Sequence, residues 1–91
     1  MECIRQIIDA IPHGSFFDSH FVIDRMITNY SDDYLAFCGQ FKGDNLTLTA
    51  HQHIGQQIAK LEGDLVERQH NESWSTNIRG NGSACALWKR I

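Results

Sequence analysis

Residues 49–68 read TAHQHIGQQIAKLEGDLVER, and this stretch contains the clearest change of hydrophobic period in the chain. An α-helix with one buried face is predicted over its first part, capped by Thr47 or Thr49 and continuing to about Glu62. Gly63 fits the C-terminal end of that helix. The apolar stripe on which the prediction rests has spacings of four, four, three and four and consists of Ala50, Ile54, Ile58, Leu61 and Leu65.

A β-hairpin is predicted after this helix. Residues 65–69 have the composition of a strand, and residues 83–91 have that of its partner. The segment between them is rich in Asn, Ser and Gly, and Asn81-Gly82 is a strong tight-turn pair. The hairpin can therefore extend back to Trp74, with its tip at residues 79–82.

Three shorter helices are predicted before residue 46. Apolar residues at positions 4, 7, 8 and 11 give the first helix one buried face, and residues 12–15 end it. Asp18 or Ser19 caps the second helix, with Phe16-Phe17 folded back on its first turn as an apolar staple. Residues 31–33 cap a short third helix.

Length and composition predict one domain spanning residues 1–91. Hydrophobic residues make up 42% and charged residues 21%, which is typical of a folded globular protein. No apolar run is long enough to cross a bilayer, and the first residues do not resemble a secretory signal. The three cysteines are widely spaced and predict reduced thiols. We therefore expect a cytoplasmic protein without a membrane partner.

The net charge of −3 argues against a general polyanion binder, but the charge is unevenly distributed. Residues 1–45 hold three basic and seven acidic side chains, a sum of −4, whereas residues 46–91 hold five basic and four acidic side chains, a sum of +1. No acid follows Glu72. The C-terminal segment is therefore a local positive end.

The order of helices, then a capped helix, then strand, loop and strand resembles a winged helix-turn-helix domain over residues 31–91. The resemblance is carried by Ile54-Gly55, Ile58, Leu61 and the strand-like run Leu65-Val66-Glu67-Arg68. It implies an α+β, winged-helix-like fold of three to four helices followed by a C-terminal β-hairpin. It also implies a small DNA-binding or transcription-regulatory protein, with residues 50–62 as recognition helix and the hairpin as wing.

Helical geometry places a polar row opposite the apolar stripe, and the row contains no acid. Glutamine can pair with adenine in the major groove, and lysine can reach guanine or phosphate. A solvated helix face would show the same row, so both interpretations stay open. The residues predicted to contact nucleic acid are Thr49, Gln52, His53, Gln56, Lys60, Arg79, Asn81, Lys89 and Arg90.

The alternative is a non-enzymatic protein-protein interaction module whose partner is another protein or a second copy of the chain. Trp74 and Trp88 are expected to pack across the hairpin against the helices, but an exposed Trp74 would instead indicate an interface. The run from Ser73 to Asn81 is similar to short bacterial or phage-type proteins of unassigned function, carried on mobile genetic elements. That similarity implies no activity.

No catalytic or cofactor motif stands out, so we expect neither an enzyme nor a cofactor. The pair His51-x-His53 projects to different sides of a helix and cannot chelate one ion well. A Cys/His nucleophile pair has no local signature, and no glycine-rich phosphate loop is present. We therefore expect no metal site. The partner we expect is double-stranded DNA or a protein.

Overall fold

The computed structural model describes residues 2–44 and 46–91, and these form a mixed α+β fold of helices followed by a β-rich C-terminal region, which is consistent with the predicted winged-helix-like class. The helices are α1 (Glu2–Asp9), α2 (Ser19–Asn29), α3 (Ser31–Cys38) and α4 (Leu46–Ala59). The strands are β1 (Phe16–Asp18), β2 (Val66–Arg68), β3 (Ser73–Thr76), β4 (Gly82–Cys85) and β5 (Leu87–Arg90). Four of the five strands thus follow the last helix.

Strand β5 is the centre of a three-stranded antiparallel sheet with the order β1-β5-β2. Trp88 of β5 lies opposite Phe17 on one side and Arg68 on the other. Its indole N–H donates to the hydroxyl of Ser19, 3.2 Å away, which satisfies the polar atom of an otherwise apolar, buried ring. Because β2 pairs with β5, the predicted pairing of the strand after α4 with the C-terminal strand is confirmed.

Strands β3 and β4 form a separate hairpin, with Trp74 opposite Ala84. The predicted strand over residues 83–91 is not continuous, because it is interrupted at Ala86 and forms the two strands β4 and β5. The carbonyl of Ala86 accepts a hydrogen bond from the Ser19 amide, 3.2 Å away, so the backbone changes sheet at this residue. The hairpin does extend to Trp74, but its turn lies at residues 77–81 and not at Asn81-Gly82, because Gly82 already belongs to β4. Gly80 supplies the positive φ of 81° that this turn requires.

The predicted apolar staple of Phe16 and Phe17 on α2 is wrong, because these residues belong to strand β1. Phe17 is buried and Phe16 is 60% exposed, so the two rings point to opposite faces of a strand rather than onto one helical turn. The predicted cap of α2 is confirmed, because the carboxylate of Asp18 accepts a hydrogen bond from the Phe21 amide at 2.8 Å. The same residue therefore ends a strand and starts a helix.

Helix α1 occupies its predicted position, whereas α3 and α4 begin earlier than expected. Helix α3 starts at Ser31 after the N-cap residue Tyr30, which makes no side-chain capping hydrogen bond, so residues 31–33 form its first turn and do not cap it. Helix α4 starts at Leu46, so Thr47 and Thr49 lie inside the helix and do not cap it. Its regular part ends at Ala59, and Gly63 with a φ of 86° lies in the turn beyond. Among residues 2–44 and 46–91, no helix combines the length and the apolar character that crossing a bilayer demands.

The apolar stripe of α4 is buried as predicted. Ala50, Ile54 and Ile58 have no exposed surface and pack in one core with residues of α1, α2 and β5. This packing fixes which side of α4 is left to solvent, and it therefore determines the position of every polar residue on that helix.

Candidate nucleic-acid interface

The polar side of α4 and the inner side of the β3–β4 hairpin line the two walls of one cleft of about 670 Å³. Helix α4 contributes Gln52, Gly55 and Gln56, and the hairpin contributes Asn77 and Arg79. Gly55 has open space around its Cα, so no side chain fills the middle of the helix wall. The cleft is therefore open along the line between the two glutamines.

No acidic side chain in the described part of the chain lines this cleft, although the protein has 11 acidic residues. Its basic and imidazole side chains are His20, His51, Arg68 and Arg79. The lining of the cleft thus contains no carboxylate, in a protein whose net charge is −3, and the Asp18 carboxylate lies just behind it, within 4.8 Å of His20 and Cys85. Such a local charge distribution attracts an anionic ligand more than the net charge suggests.

The tip of the hairpin is held in shape by Asn77. Its side-chain oxygen accepts hydrogen bonds from the amides of Arg79 at 2.9 Å and Asn81 at 3.2 Å. Its backbone amide donates to the carbonyl of Asn81 at 2.8 Å. This closed loop presents the Arg79 side chain at the mouth of the cleft without a large loss of backbone freedom on binding.

His51 lies in the cleft on the α4 side, and its imidazole is hydrogen-bonded to the hydroxyl of Tyr34 at 2.7 Å. Burial lowers the pKa of His51 below its ordinary value, and the positive charges of His20 and Arg79 lower it further. Burial, together with the neighbouring Cys38, raises the pKa of Tyr34 to about 12. The pair is therefore neutral at physiological pH.

The hairpin is anchored to the body by polar contacts around the start of α2. The Nδ1 atom of His20 is hydrogen-bonded to Ser75 Oγ at 2.6 Å, and its Nε2 atom is hydrogen-bonded to Ser83 Oγ at 3.3 Å. Ser73 donates to the second carboxylate oxygen of Asp18 at 2.7 Å. Burial alone would raise the pKa of Asp18, but the hydrogen bonds from Ser73 and Phe21 outweigh it and lower that pKa.

Three of the predicted nucleic-acid contacts, Gln52, Gln56 and Arg79, line the cleft together. Lys60 and Asn81 are exposed without lining it, and Thr49 is half-buried. His53 lies on a different side of α4, where its ring is 4.7 Å from that of Phe41. The helix and hairpin therefore bring together the central part of the predicted set and leave His53 apart from it.

The two terminal basic residues of the predicted set lie away from the cleft. Lys89 is half-buried, and its ammonium lies 6.0 Å from the ring of Phe16. Arg90 is 5% exposed, donates to the carbonyls of Ile8 and Leu65, and lies 3.6 Å from a carboxylate oxygen of Asp9. The prediction that Arg90 offers a surface contact is wrong, because its guanidinium is held inside the fold.

The sequence analysis missed Arg68 as a cleft residue and misplaced Trp74. Arg68 lines the cleft with its guanidinium 5.3 Å from the centre of the Trp88 ring, although its position in a strand gave no such signal. Trp88 is buried as predicted, but Trp74 is 75% exposed, so the expectation that it packs into the core is wrong. Ser73 and Ser75 face the body, and the two-residue alternation of the strand turns Trp74 outward.

Comparisons of the chain with protein-family models, with curated proteins and with solved structures gave no match.

Proposed function

We propose that this protein is a small DNA-binding regulatory protein of the cytoplasm that uses α4 and the β3–β4 hairpin as its contact surface. The observation that carries the proposal is that Gln52 and Gln56 share with Arg79 a cleft whose described lining contains no acidic side chain. A helix seated in the major groove has a sugar-phosphate strand along its side. One such strand would lie along the cleft between α4 and the hairpin.

The roles of the individual residues follow from their chemistry. Gln52 and Gln56 are one helical turn apart and exposed, so both amides can reach the same base edges. Arg79 at the hairpin tip and Arg68 at the base of the cleft would contact phosphate oxygens. Lys60, one turn beyond Gln56, would add a further phosphate contact.

The test is fluorescence anisotropy with random-sequence duplex DNA at low and at physiological salt. We expect binding that weakens with salt, with a slope of about −0.9 in log K against log salt for each phosphate contact. Arg79→Ala should reduce that slope by about 1, whereas Gln52→Ala with Gln56→Ala should weaken sequence preference more than the slope. Alanine is a good helix former, so the double variant keeps α4 intact.

The matched control is the double variant Gln6→Ala with Arg25→Ala, whose exposed side chains line a different cleft beside β1. It removes one glutamine and one arginine and should bind as the wild type does. Absence of binding at low salt, or equal loss in the control, would contradict the proposal.

One observation favours protein-protein interaction as a second function. Trp74 is 75% exposed on the outer face of the hairpin, opposite Ala84, and an exposed tryptophan is a frequent anchor of protein interfaces. If this face forms a homodimer, sedimentation velocity should give a mass that rises with concentration, and Trp74→Ser should remove that rise. A monomer at all concentrations in both proteins would exclude the homodimer.

A further inference from the structure

We propose that Asp18, His20 and Cys85 bind a divalent transition-metal ion of the zinc type and thereby join the hairpin to the body of the protein. Each residue offers one ligand atom, and these atoms all lie within 4.8 Å of one another. The three side chains are half-buried. They come from the junction of β1 with α2 and from the end of β4, so one ion would connect segments that are far apart in sequence.

The donor set selects the class of ion. A thiolate, an imidazole nitrogen and a carboxylate oxygen are the three ligand types of protein zinc sites, whereas calcium and magnesium prefer oxygen alone. The Cys85 thiolate and the Asp18 carboxylate together neutralise the double positive charge. On binding, the thiol proton is released to solvent, the sulfur–metal bond forms, and no electron is transferred.

The geometry requires only a small adjustment. Bonds of about 2.0–2.3 Å in a tetrahedral site place the ligand atoms roughly 3.3–3.7 Å apart, so the side chains need to approach by about 1 Å. His20 and Cys85 both line the cleft between α4 and the hairpin. The fourth position of the tetrahedron would therefore face the cleft and be filled by water or by a ligand that enters there.

The surrounding serines are placed to orient the ligands. One ring nitrogen of His20 would coordinate the ion, while the other keeps its hydrogen bond to Ser75 or Ser83. Asp18 accepts hydrogen bonds from Ser73 and from the Phe21 amide, one on each carboxylate oxygen. Such outer contacts fix the tautomer of a metal-ligating histidine and the orientation of a ligating carboxylate.

The same contacts argue against a nucleophilic Cys/His/Asp site. In a catalytic triad the carboxylate is hydrogen-bonded to the imidazole and holds it as a general base. Here, among the described residues, the hydrogen bonds of Asp18 go to Ser73 and Phe21, and those of His20 go to serines. The three groups converge as ligands would, without the relay that proton transfer needs.

The experiment is titration of chelator-treated protein with Zn²⁺ and separately with Co²⁺, in the absence of nucleic acid. We expect one zinc ion per chain by equilibrium dialysis and elemental analysis. We also expect a thiolate-to-cobalt charge-transfer band in the Co²⁺ complex. Because the assay contains no DNA, its outcome is independent of the DNA-binding proposal.

Two ligand variants and two matched controls complete the design. Cys85→Ser should abolish the charge-transfer band, and His20→Asn should weaken zinc binding by more than the roughly 10–100-fold typical of an outer contact. Cys38→Ala, which removes a buried thiol elsewhere, and His70→Asn, which removes an exposed imidazole, should leave both readouts unchanged. Circular dichroism checks that each variant is folded.

The proposal is overturned if wild-type protein takes up no zinc, or if Cys85→Ser and His20→Asn bind zinc as tightly as the wild type. It is equally overturned if the Co²⁺ complex lacks the thiolate band. Loss of binding in His70→Asn as well would assign the ion to another group of side chains and would also contradict the proposal.

Discussion

The Oγ atom of Ser75 lies 2.6 Å from Nδ1 of His20, and this contact joins the middle of the hairpin to the first turn of α2. With Ser83 on the other ring nitrogen, His20 bridges both strands of the hairpin. These polar contacts therefore help to fix the position of Arg79 relative to α4.

His20→Ala should loosen the hairpin without unfolding the core. A net loss of about 1–2 kcal/mol, with about 1 kcal/mol for each of the two hydrogen bonds of His20, corresponds to roughly five- to thirtyfold more frequent local opening. Hydrogen exchange of chelator-treated protein should show the increase in β3 and β4, with α4 unchanged. His70→Ala is the exposed control, and equal exchange rates in the wild type and His20→Ala would contradict the anchor.

Arg90→Ala should destabilise the protein by about 2–4 kcal/mol, because it removes two charge-assisted hydrogen bonds from the buried guanidinium to the carbonyls of Ile8 and Leu65. Each carbonyl keeps only its backbone donor, from Ile11 and Ile91 respectively. Its neighbour Lys89 is the matched control, and Lys89→Ala should change the free energy of unfolding by about 0.5 kcal/mol or less. Urea denaturation measures both. Similar small effects for the two variants would show that Arg90 does not hold the fold together.

The two tryptophans should respond oppositely to truncation. Trp88 is 1% exposed, so Trp88→Ala should cost about 3–5 kcal/mol of stability, whereas Trp74→Ala should cost about 0.5 kcal/mol or less. Acrylamide quenching gives a second readout, since Trp74→Phe should remove the strongly quenched part of the fluorescence. A protected Trp74 in the isolated monomer would contradict its exposed position.

Acidification should weaken the fold through His51. Tyr34 of α3, His20 of α2 and Arg79 of the hairpin face its imidazole, and burial is the main reason that its folded-state pKa lies below the ordinary value of 6.5. The unfolded state therefore binds the proton more readily, so the stabilising contribution is complete above pH 6.5 and is lost as the pH falls below that value.

The measurement is urea denaturation between about pH 7.5 and 5, across the range in which histidine titrates. The free energy of unfolding of the wild type should fall more steeply than that of His51→Gln, while the exposed control His13→Gln should follow the wild type. Parallel curves for the wild type and His51→Gln would rule out this coupling.

The regular periodicity of the sequence was sufficient to predict α4 and its buried face, because Ala50, Ile54 and Ile58 repeat over several turns. It was not sufficient for β1, since three residues are too few to establish a period. The burial of Arg90 could have been inferred, because it shares a strand face with Trp88 two residues earlier.

The exposed position of Trp74 and the cluster of Asp18, His20 and Cys85 depend on how the hairpin packs on α2. Asp18 and Cys85 are far apart in sequence, and no local spacing connects them. The shared cleft of Gln52, Gln56 and Arg79 is an intermediate case. The chemistry of each residue was readable from the sequence, but their common location required the tertiary structure.

DNA contact by α4 and the hairpin is tested directly by titrating isotope-labelled protein with a short DNA duplex at low salt and following the amide chemical shifts. We expect shifts concentrated on the exposed side of α4, around Gln52 and Gln56, and at the hairpin tip around Arg79. Shifts at the cleft beside β1, or no shifts where the electrostatic attraction is strongest, would contradict it.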